Sequence, residues 1–232
     1  MIRAPLWCVV PAAGRGVRAG GDVPKQYQLL RGRPLIEHTL ERLAAHPRIG
    51  GLLVTLAADD PHWSGLCSVL GKPLRSAIGG AQRSDSVLAG LDALPDTVGD
   101  DEFVLVHDAA RPCVRLDDIG HLIERAAMGD GGLLSAPLRD TLKHAVAGGL
   151  VERTEPRELR WRAFTPQMFR RGPLAAALRA AGRRGANVSD EAMAMELAGF
   201  SPLLVEGAED NIKVTTAADF ALAEFLLART SS

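Results

Sequence analysis

Four apolar runs of seven residues alternate with stretches whose apolar positions recur every three to four residues, and no other feature limits the fold as much. The runs are LWCVVPA (6–12), GLLVTLA (51–57), PLRSAIG (73–79) and EFVLVHD (102–108). The stretches that follow them are PLIEHTLERLAAH (34–46), HWSGLCSVL (62–70), SDSVLAGLDAL (84–94) and LDDIGHLIERAAM (116–128). Length and composition predict buried strands for the first set, and helical spacing predicts helices for the second. Alternating strands and helices build an α/β fold, a mostly parallel sheet covered by helices on both faces. Such a sheet takes its ligands at the carboxyl ends of its strands. PAAGRG (11–16) and HDAARP (107–112) both fall there, so two separate motifs are expected to face one crevice.

The alternation breaks at 139–162, where two short strand-like pieces flank the turn signal AGG and predict a projecting β-hairpin. Beyond it, 172–185, 189–199 and 216–230 have helical patterns and 200–207 reads as a strand. With no internal repeat and no low-complexity linker, 1–232 is expected to be a single domain bearing a hairpin arm at 139–162.

Charge and cysteine usage narrow the class. Lys+Arg 27 against Asp+Glu 28 leaves a net charge of −1, which lacks the basic excess of a dedicated nucleic-acid binder. The longest apolar stretches fall well short of the roughly 20 residues of a membrane span, and MIRAPLWCVVPAAG runs into the first strand without a cleavage site. Cys8, Cys67 and Cys113 are odd in number and show no zinc-ligand spacing, as expected of reduced cysteines in a cytoplasmic protein.

The glycine-rich loop PAAGRGVRAGGDVPKQY (11–27) then asks what it binds. Gly14, Gly16 and Ala19 fit a loose dinucleotide fingerprint, but Gly20, Gly21 and Pro24 prolong the loop where that motif opens a helix. A Walker-type loop requires Gly-Lys-Ser/Thr, which the chain lacks. An extended loop whose N–H groups wrap a triphosphate, helped by Arg15, Arg18 and Lys25, suits the residues. A solvated turn with incidental basic residues remains the bland reading of the loop alone.

Taken together, this loop with GRPLIEHTL (32–40), GGAQRSDSVLAGL (79–91), VLVHDAARP (104–112), DTLK (140–143), RWRAFTPQMF (160–169), SDEA (189–192) and VEGAEDNIKVT (205–215) resembles the 2-C-methyl-D-erythritol 4-phosphate cytidylyltransferases. The resemblance runs in order over nearly the whole chain. Ala19, Phe164 and Ser189 depart from the residues usual in the family, Ser189 keeping a hydroxyl. A Rossmann-like nucleotidyltransferase sheet is implied, acting on CTP and methylerythritol phosphate with Mg²⁺ and releasing pyrophosphate.

That chemistry suits the residue types. A phosphate monoester, with a second pKa of about 6, arrives largely dianionic, so the nucleophile needs no general base. Repulsion between anions and charge build-up at the α-phosphorus are what positioned cations must relieve. By the resemblance, Arg18 and Lys25 stabilise the transition state. Pro11, Ala12, Ala13, Gly14 and Gly16 let backbone approach the nucleotide, with Arg15 and Gly32 as weaker candidates. Gly80 and Ser86 contact cytosine or ribose, Asp108 holds the metal, and Arg111 lies near the substrate phosphate. Thr141, Arg157, Ser189 and Lys213 serve the acceptor, Arg157 and Lys213 orienting it for attack. The hairpin carrying Thr141 and Arg157 is expected to complete the neighbour's site in a homodimer. His107 and His144 are expected to be structural or surface residues. Transfer to another sugar-alcohol phosphate such as ribitol 5-phosphate, or a nucleotide-binding module without catalysis, are the alternatives.

Overall fold

A computed structural model describes residues 5–14 and 23–229. In chain order the elements begin with β1 (Leu6–Pro11), β2 (Leu29–Leu30), β3 (Arg33–Pro34), α1 (Leu35–Ala45), β4 (Ile49–Leu56), β5 (Ser68–Val69) and β6 (Lys72–Ile78). Next come α2 (Arg83–Asp92), β7 (Phe103–Val106), α3 (Leu116–Ala126), β8 (Gly132–Pro137), β9 (Leu142–Ala145) and β10 (Val151–Glu155). β11 (Trp161–Arg170), α4 (Arg171–Arg183), α5 (Glu191–Leu197), β12 (Leu203–Glu206) and α6 (Ala217–Arg229) complete the order.

Eight strands form one sheet in the order β12-β8-β11-β7-β1-β4-β6-β5. β1 pairs in parallel with both β4 and β7, β4 with β6, and β8 with β12, whereas β11 runs antiparallel between β7 and β8. The chain moves outward from β1 to β6 and then returns across β1 to β7. That reversal opens a crevice at the carboxyl ends of β1 and β7. Alternation along β1 sends Cys8 and Val10 into one core and Val9 into the other. The first core packs against α1 and α3, and the second against α2, α4 and α5. Each fully buried Val or Leu side chain of these two cores contributes about 1.5–3 kcal/mol through removal from water.

The four apolar runs are β1, β4, β6 and β7; β1, β4 and β7 are buried as expected, whereas β6, next to the edge strand β5, buries only Leu74. Three of the four helical stretches are α1, α2 and α3. The fourth, 62–70, is not a helix: Gly65 (φ 71°), Leu70 (φ 49°) and Gly71 (φ 76°) adopt left-handed backbone, and Ser68–Val69 instead form the edge strand β5 on β6. The apolar residues at that spacing do not share a buried face, since Leu66 and Leu70 are exposed while Val69 is buried. β8 and β11 are additions. Pro166 argues against a central strand in sequence, but the pairing of β11 with β8 shifts register between Ala163 and Gln167 and so accommodates it. The 139–162 segment holds β9 and β10, an antiparallel pair in a sheet of its own, turned through Gly148 (φ 92°) and Gly149 (φ 80°), but the pair is shorter than expected, since Trp161 and Arg162 already belong to β11 and pair with β8.

Candidate active site

Three segments meet where the sheet reverses. Pro11, Ala12, Ala13 and Gly14 leave β1, Gly80, Gln82, Arg83 and Ser86 turn from β6 into α2, and Asp108 follows β7. With Lys25 and Lys213 they line a crevice of about 320 Å³. Thus Pro11, Ala12, Ala13, Gly14, Lys25, Gly80, Ser86, Asp108 and Lys213, expected from sequence to share one site, do so.

Local chemistry explains each wall. Gln26, buried beside Lys25, donates from Nε2 to the carbonyls of Ala12 (2.7 Å) and Gly14 (3.0 Å), which ties the turn bearing Lys25 to the end of β1. At the α2 wall, Ser86 Oγ accepts from the Gly80 N–H (3.2 Å) and donates to the Gln82 carbonyl (3.1 Å). Gln82 and Asp85 form a reciprocal capping box at the helix start. A Cβ at Gly80 would fall 2.3 Å from Asp85 Cβ, and one at Gly79 would fall 2.7 Å from Ala13 Cβ, so this turn closes only with glycine. The first turn of α2 therefore faces the crevice, a placement that favours anions.

Asp108 sits at the floor with three cations around it. Arg83 Nε donates to Oδ1 (2.9 Å), Lys213 Nζ lies 2.9 Å from Oδ2, and Arg111 Nε lies 3.4 Å from Oδ2. Burial alone would raise this carboxyl, but Arg83, Lys213 and Arg111 outweigh it and hold the group well below the usual carboxylate range. Arg83 also reaches Glu191, with Nη1 to Oε1 at 2.6 Å and Nη2 to Oε2 at 3.2 Å. Complete burial pushes the Glu191 carboxyl up, while the two-nitrogen fork of Arg83 opposes that rise. One guanidinium nitrogen on each carboxylate oxygen is the geometry of an ion pair.

Behind the floor lies a chain of polar contacts. His107, fully buried, places Nε2 3.0 Å from the Arg111 carbonyl and Nδ1 3.0 Å from Thr165 Oγ1. A carbonyl only accepts, so Nε2 carries the proton and Nδ1 accepts from the Thr165 hydroxyl. That hydroxyl oxygen accepts in turn from the Asp108 N–H (3.0 Å). Burial lowers the His107 imidazole to about 4. Because the unfolded chain binds this proton near its ordinary 6.5 and the folded chain resists it to about 4, stability is full above that window and falls as pH drops through it. A loss of roughly 2–3 kcal/mol between pH 7 and 4.5 is expected from this group, largely absent in His107→Gln. Denaturant unfolding of both proteins at the two pH values checks this, and equal losses would remove His107 as the source.

The remaining described candidates do not line the crevice, although Arg111 reaches Asp108. Arg111 is a brace: it is buried, it donates from Nη1 to the Asn211 carbonyl (2.7 Å), and it stacks over the Phe164 ring at 5.2 Å. Thr141, Arg157 and Ser189 are exposed and outside the crevice lining, Thr141 and Arg157 flanking the β9–β10 hairpin. Arg15, Gly16, Arg18 and Ala19 lie outside the described residues. Arg83, Glu191, Gln26 and Thr165 were missed by sequence reasoning, although each stands inside a motif it had marked. Among the described residues there is no group of three or more His, Cys, Asp or Glu able to hold a metal, so Asp108 stands as a single carboxylate.

Known proteins resemble this chain in sequence and fold. The family model described as IspD, 2-C-methyl-D-erythritol 4-phosphate cytidylyltransferase, matches residues 6–229. The chain is 55% identical over 226 residues to the 2-C-methyl-D-erythritol 4-phosphate cytidylyltransferase of Xanthomonas oryzae pv. oryzae, covering 97% of this chain and 83% of that one. It is 55% identical over 227 residues to the Stenotrophomonas maltophilia protein of the same name, covering 97% and 98%. Among solved structures, the Francisella tularensis 2-C-methyl-D-erythritol 4-phosphate cytidylyltransferase superimposes with a TM-score of 0.83 at 32% identity, covering 96% of this chain and 100% of that chain. The Thermus thermophilus enzyme of that name gives 0.74 at 31% identity, covering 95% and 98%.

Proposed function

Since the chain belongs to the 2-C-methyl-D-erythritol 4-phosphate cytidylyltransferase family, we propose that its crevice transfers CMP from CTP to 2-C-methyl-D-erythritol 4-phosphate. The products are 4-CDP-2-C-methyl-D-erythritol and pyrophosphate, a step of the non-mevalonate route to isoprenoid precursors. One observation carries the reading: Lys25, Lys213, Asp108 and the first turn of α2 converge on one crevice at the sheet reversal. An oxygen of the acceptor phosphate bonds to the α-phosphorus, and the bond from that phosphorus to the bridging oxygen breaks as pyrophosphate leaves with the electron pair. The attacking dianion needs no base. Lys25 and Lys213 offset the charge that develops on the transferring group, as Arg18 does by its place in the loop.

Asp108 fits a divalent ion, for which we propose Mg²⁺. That ion takes one or two carboxylates together with phosphate oxygens, and this crevice offers one. Lys213, with a side chain 42% exposed, is the partner able to leave Oδ2 for a phosphate. A bound ion would neutralise triphosphate charge. Pyrophosphate release measured with each of four nucleotides, and with methylerythritol phosphate or ribitol 5-phosphate as acceptor, tests the reading. Release that is fast only with CTP and methylerythritol phosphate is expected, and release with no acceptor preference would overturn it. The three free cysteines suit the cytoplasm, the proposed location.

The proposal includes a homodimer in which the β9–β10 hairpin reaches the partner's crevice. Thr141 and Arg157 stand outside the crevice of their own chain, and a lone two-stranded hairpin is marginal in water. Val146, Leu150 and Val151 on it are exposed apolar residues. Arg157→Ala and Lys25→Ala chains, each nearly inactive alone, would then damage different halves of each site. Mixed at random in equal amounts, about half the dimers are hybrids with one intact crevice, so activity is expected to recover toward about a quarter of the parent's. With subunit exchange verified by a tagged chain, hybrids as inactive as either variant would sink the exchange.

A further inference from the structure

Three segments far apart in the chain converge at the floor of the crevice: the first residue of α2 (Arg83), the second residue after β7 (Asp108) and the first residue of α5 (Glu191). We propose that Arg83, clamped by Glu191, is a positioning residue that sets the Asp108 carboxylate for the transfer reaction. The inference rests on the functional reading above and assigns a task to Arg83, at the crevice wall, and to Glu191, outside the crevice lining.

The geometry divides the guanidinium. Both terminal nitrogens go to Glu191, at 2.6 and 3.2 Å, which leaves only the Nε edge for Asp108 Oδ1 at 2.9 Å. An Arg–Asp pair by itself can slide or turn to a two-nitrogen contact, and the Glu191 fork removes that freedom. Glu191 is itself held. Gln167 of β11 donates from Nε2 to Asp190 Oδ2 (3.0 Å) and accepts the Ala192 N–H at Oε1 (2.8 Å), while Asp190 caps α5 through the Met193 N–H (3.0 Å). A rigid line therefore runs from the central strand β11 through α5 to Asp108. Oδ1 is pinned by Arg83, and Oδ2 faces Lys213 at 2.9 Å, the more exposed partner, with Arg111 Nε more distant at 3.4 Å. The carboxylate is thus presented through one oxygen. A glutamate side chain only 1% exposed is costly to keep charged, and serving structure alone would not require its partner to reach Asp108 as well.

Removing one member of a buried pair leaves an uncompensated charge, so the test replaces both: Arg83→Met with Glu191→Leu, a swap that buried pairs often tolerate. Arg83→Lys is the second variant, since one ammonium cannot serve two carboxylates through three nitrogens. For any variant whose circular dichroism and melting match the parent, kcat is expected to fall about 10- to 100-fold, with the KM for CTP within about threefold. Without acceptor, the Mg²⁺ concentration that half-supports CTP binding, read by calorimetry, is expected to rise about 10-fold. A folded variant with parental kcat and parental metal dependence overturns the positioning role. A parent chain that transfers no CMP under the same conditions overturns the functional reading first, and the inference with it.

Discussion

Lys25→Ala is expected to lower kcat about 10²-fold or more while the KM for CTP changes far less, because a donor aimed at developing charge acts on the transition state and little on the ground state. The structure supports a fixed Lys25. It begins the short turn Lys25–Tyr27, and its neighbour Gln26 is bolted to the Ala12 and Gly14 carbonyls. Lys25 lines the same crevice as Asp108 and Lys213, so its charge acts beside low-dielectric protein walls where it counts for more than in bulk water. Single-turnover and steady-state rates on the purified variant check this. A rate within a few-fold of the parent would remove Lys25 from the mechanism. Arg18→Ala carries the same expectation from its place in the loop, and Arg18→Lys should restore only part of the rate because the planar fork is lost.

Asp108→Asn is expected to fail in two ways. It removes the charge on which Arg83, Lys213 and Arg111 converge, leaving three cations crowded at one buried point. Loss of one member of a buried ion cluster costs about 3–5 kcal/mol, several times the ~1 kcal/mol of a broken turn cap. The divalent-metal concentration needed for half-maximal activity should also rise steeply. Because this carboxyl is held far below the ordinary range, its stabilisation is complete above the unfolded value of about 3.9 and is lost as pH falls below that. The parent should therefore lose stability on going from pH 4 toward pH 2, and the variant should lose much less. Chemical denaturation across that range, with a metal titration at neutral pH, decides the matter. A loss near 1 kcal/mol with unchanged metal dependence would leave Asp108 as a turn residue.

These expectations draw unequally on sequence and structure. The strands β1, β4 and β7 were legible because a buried strand shows itself in a few adjacent apolar residues, and α1 to α3 because amphipathic spacing is equally local; β6 is a strand too, but it buries only Leu74. The crevice followed from topology, since alternating elements put PAAGRG and HDAARP at the same sheet edge. Where local pattern conflicted with tertiary demand it misled: the apolar residues at 62–70 have helical spacing, yet their backbone turns left-handed at Gly65 and Leu70 and joins β6 as an edge. β11 was not read as a strand, and the structure places it between β7 and β8 with a register shift between Ala163 and Gln167, around Pro166.

By itself, then, the sequence determined the α/β class and the family. Only the tertiary structure decided which side chains hold Asp108. Arg83 and Glu191 lie 108 residues apart, and neither differs in sequence from an ordinary helix-start charge. Their pairing arises from burial, which makes a lone charge costly enough that whichever opposite charge the fold brings within reach becomes its partner. No local pattern records that, because the desolvation penalty exists only after distant segments have packed.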